Sequence, residues 1–459
     1  MASFLIVSQR GMLAPLAARM EAEGADVGFY VHEDRFRAVY EGGMVKRPLS
    51  PARLRRILAE PPADTVAIID GAGASVLTPE ERELLGMAPA AEGDLDTGFY
   101  GRLAARLSDA GTVVYGSSAD AERVSLSLLE GLSLARDLGM ETVPTAIPAS
   151  LDEARLYLRS RSDRQVLRPD AATQGLLGLP ASATFAEDRP GDLLRRIDAG
   201  MHPEMEIEGG GVCLLSPRLE GTPYREEAWW NGSAFRHHCC SLELGGLWPG
   251  DRGPIVESAA TLTGFVRSPL VPWDRLAAVV SGWDGYRGPV SVRFVIPEQG
   301  PPVVLRVIAR PVFDALYGLL SLLWAPLSRL FADDLAGGFQ VSELAATIRV
   351  SVPPYPFAAP RGSARPFEAG AFAGALSVSD LPRDLWGVDL LQDLRGVQLA
   401  GTSGLVGAAV GVDSDVRSAL GRALRTAAAL PIAARTVYRT DTQSLEAGWS
   451  RLRAMQLVS

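Results

Sequence analysis

A chain of 459 residues, 47% hydrophobic and 22% charged, is long enough for two to four domains of about 100–200 residues and too apolar for wholesale disorder. The formal net charge of −9 argues against a general nucleic-acid binder, and Cys213, Cys239 and Cys240 are too few for a disulfide framework, which points to a reducing cytoplasm. Of the 45 lysines and arginines only Lys46 is a lysine, so no mechanism that needs two lysines operates here.

The first 115 residues alternate strand and helix signals: strand Phe4–Ser8, helix Met12–Gly24, strand Asp26–His32, helix Pro51–Ala59, strand Thr65–Asp70, helix Gly98–Ala110 and strand Thr112–Tyr115. Such alternation predicts a parallel, doubly wound sheet. The apolar run Phe4–Val7 is shorter than the roughly 7–15 residues of a secretory core and fits a first strand.

A long helix is expected over Asp120–Leu138, an extended segment over Thr142–Ile147, a helix over Leu151–Ser160, a strand over Gln165–Arg168 and a helix over Leu193–Ala199. From Gly211 the pattern turns antiparallel, with strands Val212–Ser216, Tyr224–Trp230 and Ala234–Leu242 and a hairpin turn at Asn231-Gly232. Gly245–Gly253 reads as a Gly-rich loop, Pro272–Ser281 as a helix, and Val290–Ile296 and Val303–Ile308 as strands joined by Pro297–Pro302. Ala315–Ser328 is shorter than the roughly 20 residues of a membrane span and is broken by Pro326, so a buried core helix is expected there. The apolar stretch Leu319–Leu330 is a candidate surface for pairing two subunits. Val352–Gly374 marks a boundary, followed by strand Leu405–Val412 and helices Asp415–Ala428 and Gln443–Met455.

Several local patterns carry two readings. Ser8–Gly11 follows a strand and opens a helix, a place for phosphate or a plain turn; Gly71–Ser75 is similar. His237-His238-Cys239-Cys240 resembles a ligand set, yet consecutive strand residues face opposite sides, so structural strand residues are expected. Gly250–Pro254 suits a lid or anion loop, or an ordinary surface loop. Arg306 and Arg310 share one face if their strand runs that far, to meet a phosphate, a substrate carboxylate or a structural partner.

Nine segments in order resemble the ATP-grasp superfamily, and within it the phosphoribosylamine–glycine ligases, including divergent versions carried by some bacterial viruses. They are Ala121–Arg123, Gln165–Ala171, Val212–Gly221, Glu226–Gly232, Gly250–Pro254, Gly288–Ile296, Val303–Pro311, Val350–Pro356 and Tyr438–Asp441. The resemblance implies an α/β protein with an α+β middle. A doubly wound N-terminal domain (1–115) precedes a two-lobed ATP-grasp domain (116–345, lobes 116–210 and 211–345) and a small C-terminal α/β domain (346–459).

It also implies ATP and Mg²⁺ as cofactors, a nucleotide and a small molecule as ligands, a purine-biosynthesis-like amide-forming reaction through an acyl phosphate, and a cytoplasmic location, in a host cell if the protein is viral. Carried over residue by residue, the nucleotide-binding positions are Arg168, Asp170, Ser216, Leu219, Glu220 and Glu227. The substrate positions are Gly250, Gly253, Pro254, Arg10 and Gly11, and the catalytic positions are Arg310, Asp251 and Arg306.

The departures fall on the chemistry. Arg168 stands at the family's phosphate-binding lysine, Pro223 at its ribose-binding glutamate and Pro217 at the acidic residue of its hinge. Arg306 and Ile308 stand at the metal-binding Glu and Asn, which leaves no metal ligand to assign. At about 4 Å and an effective dielectric of about 20, one pair of unit charges is worth about 4 kcal/mol, and carboxylate to guanidinium moves two units. The expectation is therefore an ATP-grasp protein with a degenerated metal and phosphate site, impaired or non-catalytic, acting as a binding protein beside an active paralogue. The competing expectation is an active ligase that uses Arg168, Arg306 and Arg310 for phosphates and an acid such as Asp314 for metal.

Overall fold

The computed structural model describes residues 3–33, 36, 44–61, 64–73, 75–77, 79–87, 95–96, 98–169, 185–186, 190–198, 213–332, 335, 338–353, 355–356, 380–394, 396–400, 403–432 and 436–459. The N-terminal region forms a parallel four-stranded sheet of order β2-β1-β3-β6, from β1 (Ser3–Ser8), β2 (Asp26–Val31), β3 (Thr65–Ile69) and β6 (Val113–Tyr115). All five residues of β3 are buried, as expected of a parallel strand covered on both faces. The short pair β4 (Ser75–Val76) and β5 (Leu95–Asp96) lies apart. β2 and β3 flank β1, so strand order reverses at the carboxyl ends of β1 and β3, where such sheets leave a crevice.

The expected long helix 120–138 is two helices, Ala119–Leu126 and Leu128–Asp137. Ser127 between them is extended, with φ −88° and ψ 110°, and its side chain accepts the Glu130 N–H. A serine that caps the next helix ends the previous one. That break frees the last carbonyls of the first helix for partners elsewhere.

A small antiparallel sheet of order β8-β7-β9 follows, from β7 (Gln165–Pro169), β8 (Phe185–Ala186) and β9 (Cys213–Pro217). Beside it lies an eight-stranded sheet of order β14-β13-β10-β11-β12-β15-β19-β16. Its strands are β10 (Thr222–Trp230), β11 (Phe235–Trp248), β12 (Arg252–Phe265), β13 (Gly288–Ile296), β14 (Val303–Ile308), β15 (Leu344–Ser351), β16 (Leu385–Gly387) and β19 (Leu405–Asp413). β17 (Leu390–Asp393) and β18 (Gly396–Leu399) pair separately. β15 spans position 345/346, so the sheet runs continuously from the middle of the chain into its C-terminal part.

The Gly-rich loop expected at 245–253 is instead the end of a long hairpin. β11 runs to Trp248 and β12 starts at Arg252, with register shifts between Leu244 and Gly246 and between Gly246 and Trp248. Glycine permits this geometry: a Cβ on Gly253, at φ 78°, would sit 2.6 Å from the Trp248 ring. The stretch Leu319–Leu330 holds the end of the helix Phe313–Ser321 and the start of the helix Leu327–Ala332. Leu319, Leu320, Leu322, Leu327 and Leu330 are buried in a core shared with the N-terminal sheet, while Trp324 between the two helices is 70% exposed. Among the described residues, no helix is long and apolar enough to cross a membrane.

The large sheet has two unlike faces. One carries Tyr224, Ala228, Leu242, Leu262, Val290, Val292, Phe294 and Ile348 into the main hydrophobic core. The other carries Arg225, Glu227, Ser241, Glu243, Thr261, Thr263, Ser291, Thr347 and Arg349, all buried. The helix Phe313–Ser321 covers the β12–β15 part of this polar face. It approaches closely at Gly318, where a Cβ would lie 3.0 Å from both Thr263 Oγ1 and Thr347 Oγ1. The β10–β13–β14 part brings Arg293 and Arg306 within the electrostatic reach of Arg168 on the small sheet.

Candidate functional site

Strand register builds the centre of the cleft. Arg225 on β10 pairs with Arg293 on β13, and Arg293 pairs with Arg306 on β14, so three guanidinium groups stand in one cross-strand row. Like charges directly opposite one another destabilise a sheet. Glu243 relieves part of this: its Oε1 lies 2.7 Å from Arg225 and its Oε2 3.7 Å from Arg293. Arg306 donates instead to the Ser125 carbonyl at 2.8 Å, one of those freed by the break at Ser127, and Ser125 Oγ accepts the Ala309 N–H at 2.9 Å.

Arg310 lies past the end of β14, so it does not continue the Arg306 face as a strand residue. It nonetheless joins the cluster, 3.6 Å from Glu257 Oε1 on β12. Its Nε has no hydrogen-bond partner among the described residues although the residue is only 9% exposed. Arg168, from β7 of the small sheet, donates to Ser216 Oγ at 3.1 Å and closes the cleft from the other side.

Burial and then the neighbouring Arg310 push the Arg306 guanidinium down to about 9; Glu257 opposes this, and Arg168 and Arg293 add to it. Burial and then Arg293 push Arg168 down to about 10. Arg225 moves the other way: burial lowers it, but Glu243, Glu227 and Glu257 outweigh that. Glu227 is raised, chiefly by burial. Its Oε1 accepts from Trp229 Nε1 at 3.1 Å, and its Oε2 has no hydrogen-bond partner among the described residues.

The other positions scatter. Asp170 lies outside the described residues. Leu219 is half-buried against the main core, while Glu220 is exposed and pairs with Arg164 at 2.9 Å. Asp251 sits at the hairpin tip, φ 55°, and accepts from Arg439 Nη1 at 2.9 Å. Gly250 N–H donates to Asp441 at 2.7 Å, so the hairpin tip is tied to the C-terminal segment; Gly253 and Pro254 follow on β12. Asp314 is committed to a buried ion pair with Arg349, Nε to Oδ1 3.3 Å.

Arg10 and Gly11 open the first helix at the crevice of the N-terminal sheet. Arg10 pairs with Glu33 at 2.7 Å. Asp70 completes the crevice: Oδ2 accepts from Ser8 Oγ at 2.5 Å and Oδ1 from the Gln9 N–H at 2.7 Å. Burial lifts Asp70 to about 6 against the fields of Arg310 and Arg10, which places the crevice beside the arginine cleft.

Sequence reading missed Arg225, Glu243, Glu257, Arg293 and Asp70. The available signal was the presence of charged residues inside, or at the end of, otherwise apolar strands. Cys239 and Cys240 are both buried and sit opposite Glu227 and Glu226 of β10. Among the described residues, no three His, Cys, Asp or Glu side chains come together as a metal site.

No family model and no curated protein matches the sequence. Solved structures do match. Phosphoribosylamine–glycine ligase from Thermotoga maritima is 16% identical with TM-score 0.63, over 95% of this chain and 99% of that one. The biotin carboxylase domain of Hydrogenobacter thermophilus 2-oxoglutarate carboxylase, in complex with MgADP, ADP and bicarbonate, is 12% identical with TM-score 0.57, over 100% and 96%. An L-amino acid ligase from Bacillus licheniformis is 13% identical with TM-score 0.51, over 94% and 99%. The chain has the ATP-grasp fold, a mixed α/β architecture with a parallel N-terminal sheet and a large antiparallel sheet.

Proposed function

We propose that this chain, an ATP-grasp protein by fold, is a phosphoribosylamine–glycine ligase-like binding protein whose metal and phosphate site has been given over to arginine. It does not form an amide through Mg²⁺-dependent phosphoryl transfer. The observation that carries this reading is the row Arg225–Arg293–Arg306, with Arg306 standing at the position of the family's metal-binding glutamate.

The residues present fit phosphate oxygens and do not fit Mg²⁺. A hard dication takes oxygen ligands, usually one or two carboxylates with water and phosphate. Here Glu243 and Glu257 each face an arginine, and Glu227 lies in the field of Arg225. Asp314, the acid that an active ligase would recruit, is held by Arg349. The nucleotide side of the cleft keeps Ser216, Leu219 and Arg168, so a phosphate-bearing ligand retains partners there.

The test is ADP formation from MgATP in the presence of a carboxylate and an amine, glycine and phosphoribosylamine among them. The expected rate equals that of the same mixture without protein. ADP release that depends on both partners contradicts the reading.

A further inference from the structure

We infer that Ser127 is a positioning residue for the arginine cleft: by breaking the helical segment 119–137 it turns Ser125 toward β14 and fixes the strand end that carries Arg306 and Arg310. The inference rests on the reading of the site given above and names what sets its geometry.

The break is a choice between two backbone arrangements. In a continuous helix the Ser125 carbonyl would accept the N–H of Leu129, four residues on. Ser127 prevents this. Its backbone is extended, and its side chain accepts the Glu130 N–H at 3.2 Å. Its own N–H closes the first helix on the Arg123 carbonyl at 2.9 Å, and its carbonyl opens the second by accepting the Gly131 N–H at 3.1 Å. A serine at a helix start satisfies a donor that the preceding helix cannot, which is why one side chain decides the outcome. Arg123 also reaches across the break to Glu130 at 2.8 Å, but this pair is half exposed and contributes little.

The broken arrangement is what the cleft uses. Ser125 is 1% exposed and makes two bonds outside its own helix. Its carbonyl accepts from Arg306 Nη2 at 2.8 Å, and its Oγ accepts the Ala309 N–H at 2.9 Å. Ala309 lies just past the end of β14, and Arg310 follows it. One buried serine thus holds a guanidinium on the strand and the backbone of the turn after it. The second helix meets the same strand nearer its middle: a Cβ on Gly131 would lie 3.3 Å from the Val307 carbonyl oxygen. Fusing the helices would return the Ser125 carbonyl to the helical ladder and take these acceptors from Arg306 Nη2 and the Ala309 N–H. Buried donors are paired in folded proteins, so the strand end would have to shift, and Arg310 with it.

Hydrogen exchange and calorimetry of the full-length protein test this on three variants. Ser127→Ala is expected to speed exchange of the Ala309 amide and to weaken binding of ATP, titrated in EDTA, each by about fivefold, the effect of losing one cap. Ser127→Asn keeps a capping oxygen and is expected to restore both. Ser50→Ala removes an equivalent cap from the helix Pro51–Ala59 on the N-terminal sheet, where Ser50 Oγ accepts the Arg53 N–H at 3.3 Å, and is expected to change neither. In the unaltered protein the Leu129 amide, in the first turn of the second helix, should exchange faster than that of Ala309. The reverse order, no effect of Ser127→Ala, an equal effect of Ser50→Ala or no rescue by Ser127→Asn overturns the inference. Absence of ATP binding to the unaltered protein, or ADP formation dependent on carboxylate and amine, counts against the proposed function instead, and the exchange of Ala309 then decides the role of Ser127 by itself.

Discussion

Arg293 and Arg306 stand directly opposite each other on neighbouring antiparallel strands, and Arg225 flanks Arg293 on the other side. Two cations across a strand pair repel by up to about 1 kcal/mol. Arg306 is also buried, which together with Arg310 lowers its guanidinium. Arg306→Met is therefore expected to stabilise the free protein by about 1 kcal/mol at neutral pH. The group is charged in both folded and unfolded states at pH 7, so its cost is fully present there and is relieved as pH rises through about 9. Urea denaturation at pH 7 measures this, and a lowered midpoint speaks against it.

Glu122 offers a pH signature. It is 3% exposed and accepts the Gly101 N–H at 2.9 Å and the Gly73 N–H at 3.4 Å, yet burial lifts it to about 7. The folded value lies above the unfolded 4.5, so stability is fully present below about 4.5 and is lost as pH rises to about 7. Gln removes the charge but keeps an acceptor for only one of the two N–H groups, a cost that does not vary with pH. The stability difference between the protein and Glu122→Gln should change by about 3 kcal/mol across that window, in favour of Gln at the upper end. Parallel pH curves contradict the assignment.

Asp314 and Arg349 form an ion pair in which each side chain is 5% exposed. Asp314→Asn leaves a buried guanidinium half-satisfied and should cost about 3–5 kcal/mol. A metal ligand predicts the opposite: stability kept and Mg²⁺ affinity lost. Denaturant unfolding beside Mg²⁺ titration separates the two.

Arg439 ties the hairpin tip to the C-terminal segment, binding Asp251, Asp441 and the Gly246 carbonyl from a position 2% exposed. Its partners are partly solvated, so Arg439→Ala should cost about 2 kcal/mol rather than the full price of a buried pair. Limited proteolysis should then cut near Trp248–Arg252. An unchanged digestion pattern means the hairpin holds its form without the arginine.

Much of the fold was legible because hydrophobic periodicity and turn residues speak locally: the N-terminal alternation and the Asn231-Gly232 hairpin both follow from neighbours in sequence. The hairpin 245–253 was not, because its glycines signal loop and only pairing across β11 and β12 makes them strand. The split at Ser127 turned on one side-chain cap that competes with an otherwise helical pattern. At the site, Arg306 and Arg310 stood out as charges beside a buried strand. Arg225 and Arg293 did not, because a strand buried on both faces gives no alternation to show which side meets the ligand. Their meeting is fixed by register, a long-range property.

The most direct measurement is ATP binding by calorimetry, at matched ionic strength, in EDTA and in excess Mg²⁺. If arginine has taken the place of the metal, ATP binds in EDTA, and Mg²⁺ leaves the affinity unchanged or lowers it by capturing the phosphate oxygens the arginines need. Affinity that appears or rises only with Mg²⁺ contradicts this, and shows that the chain has kept a metal site.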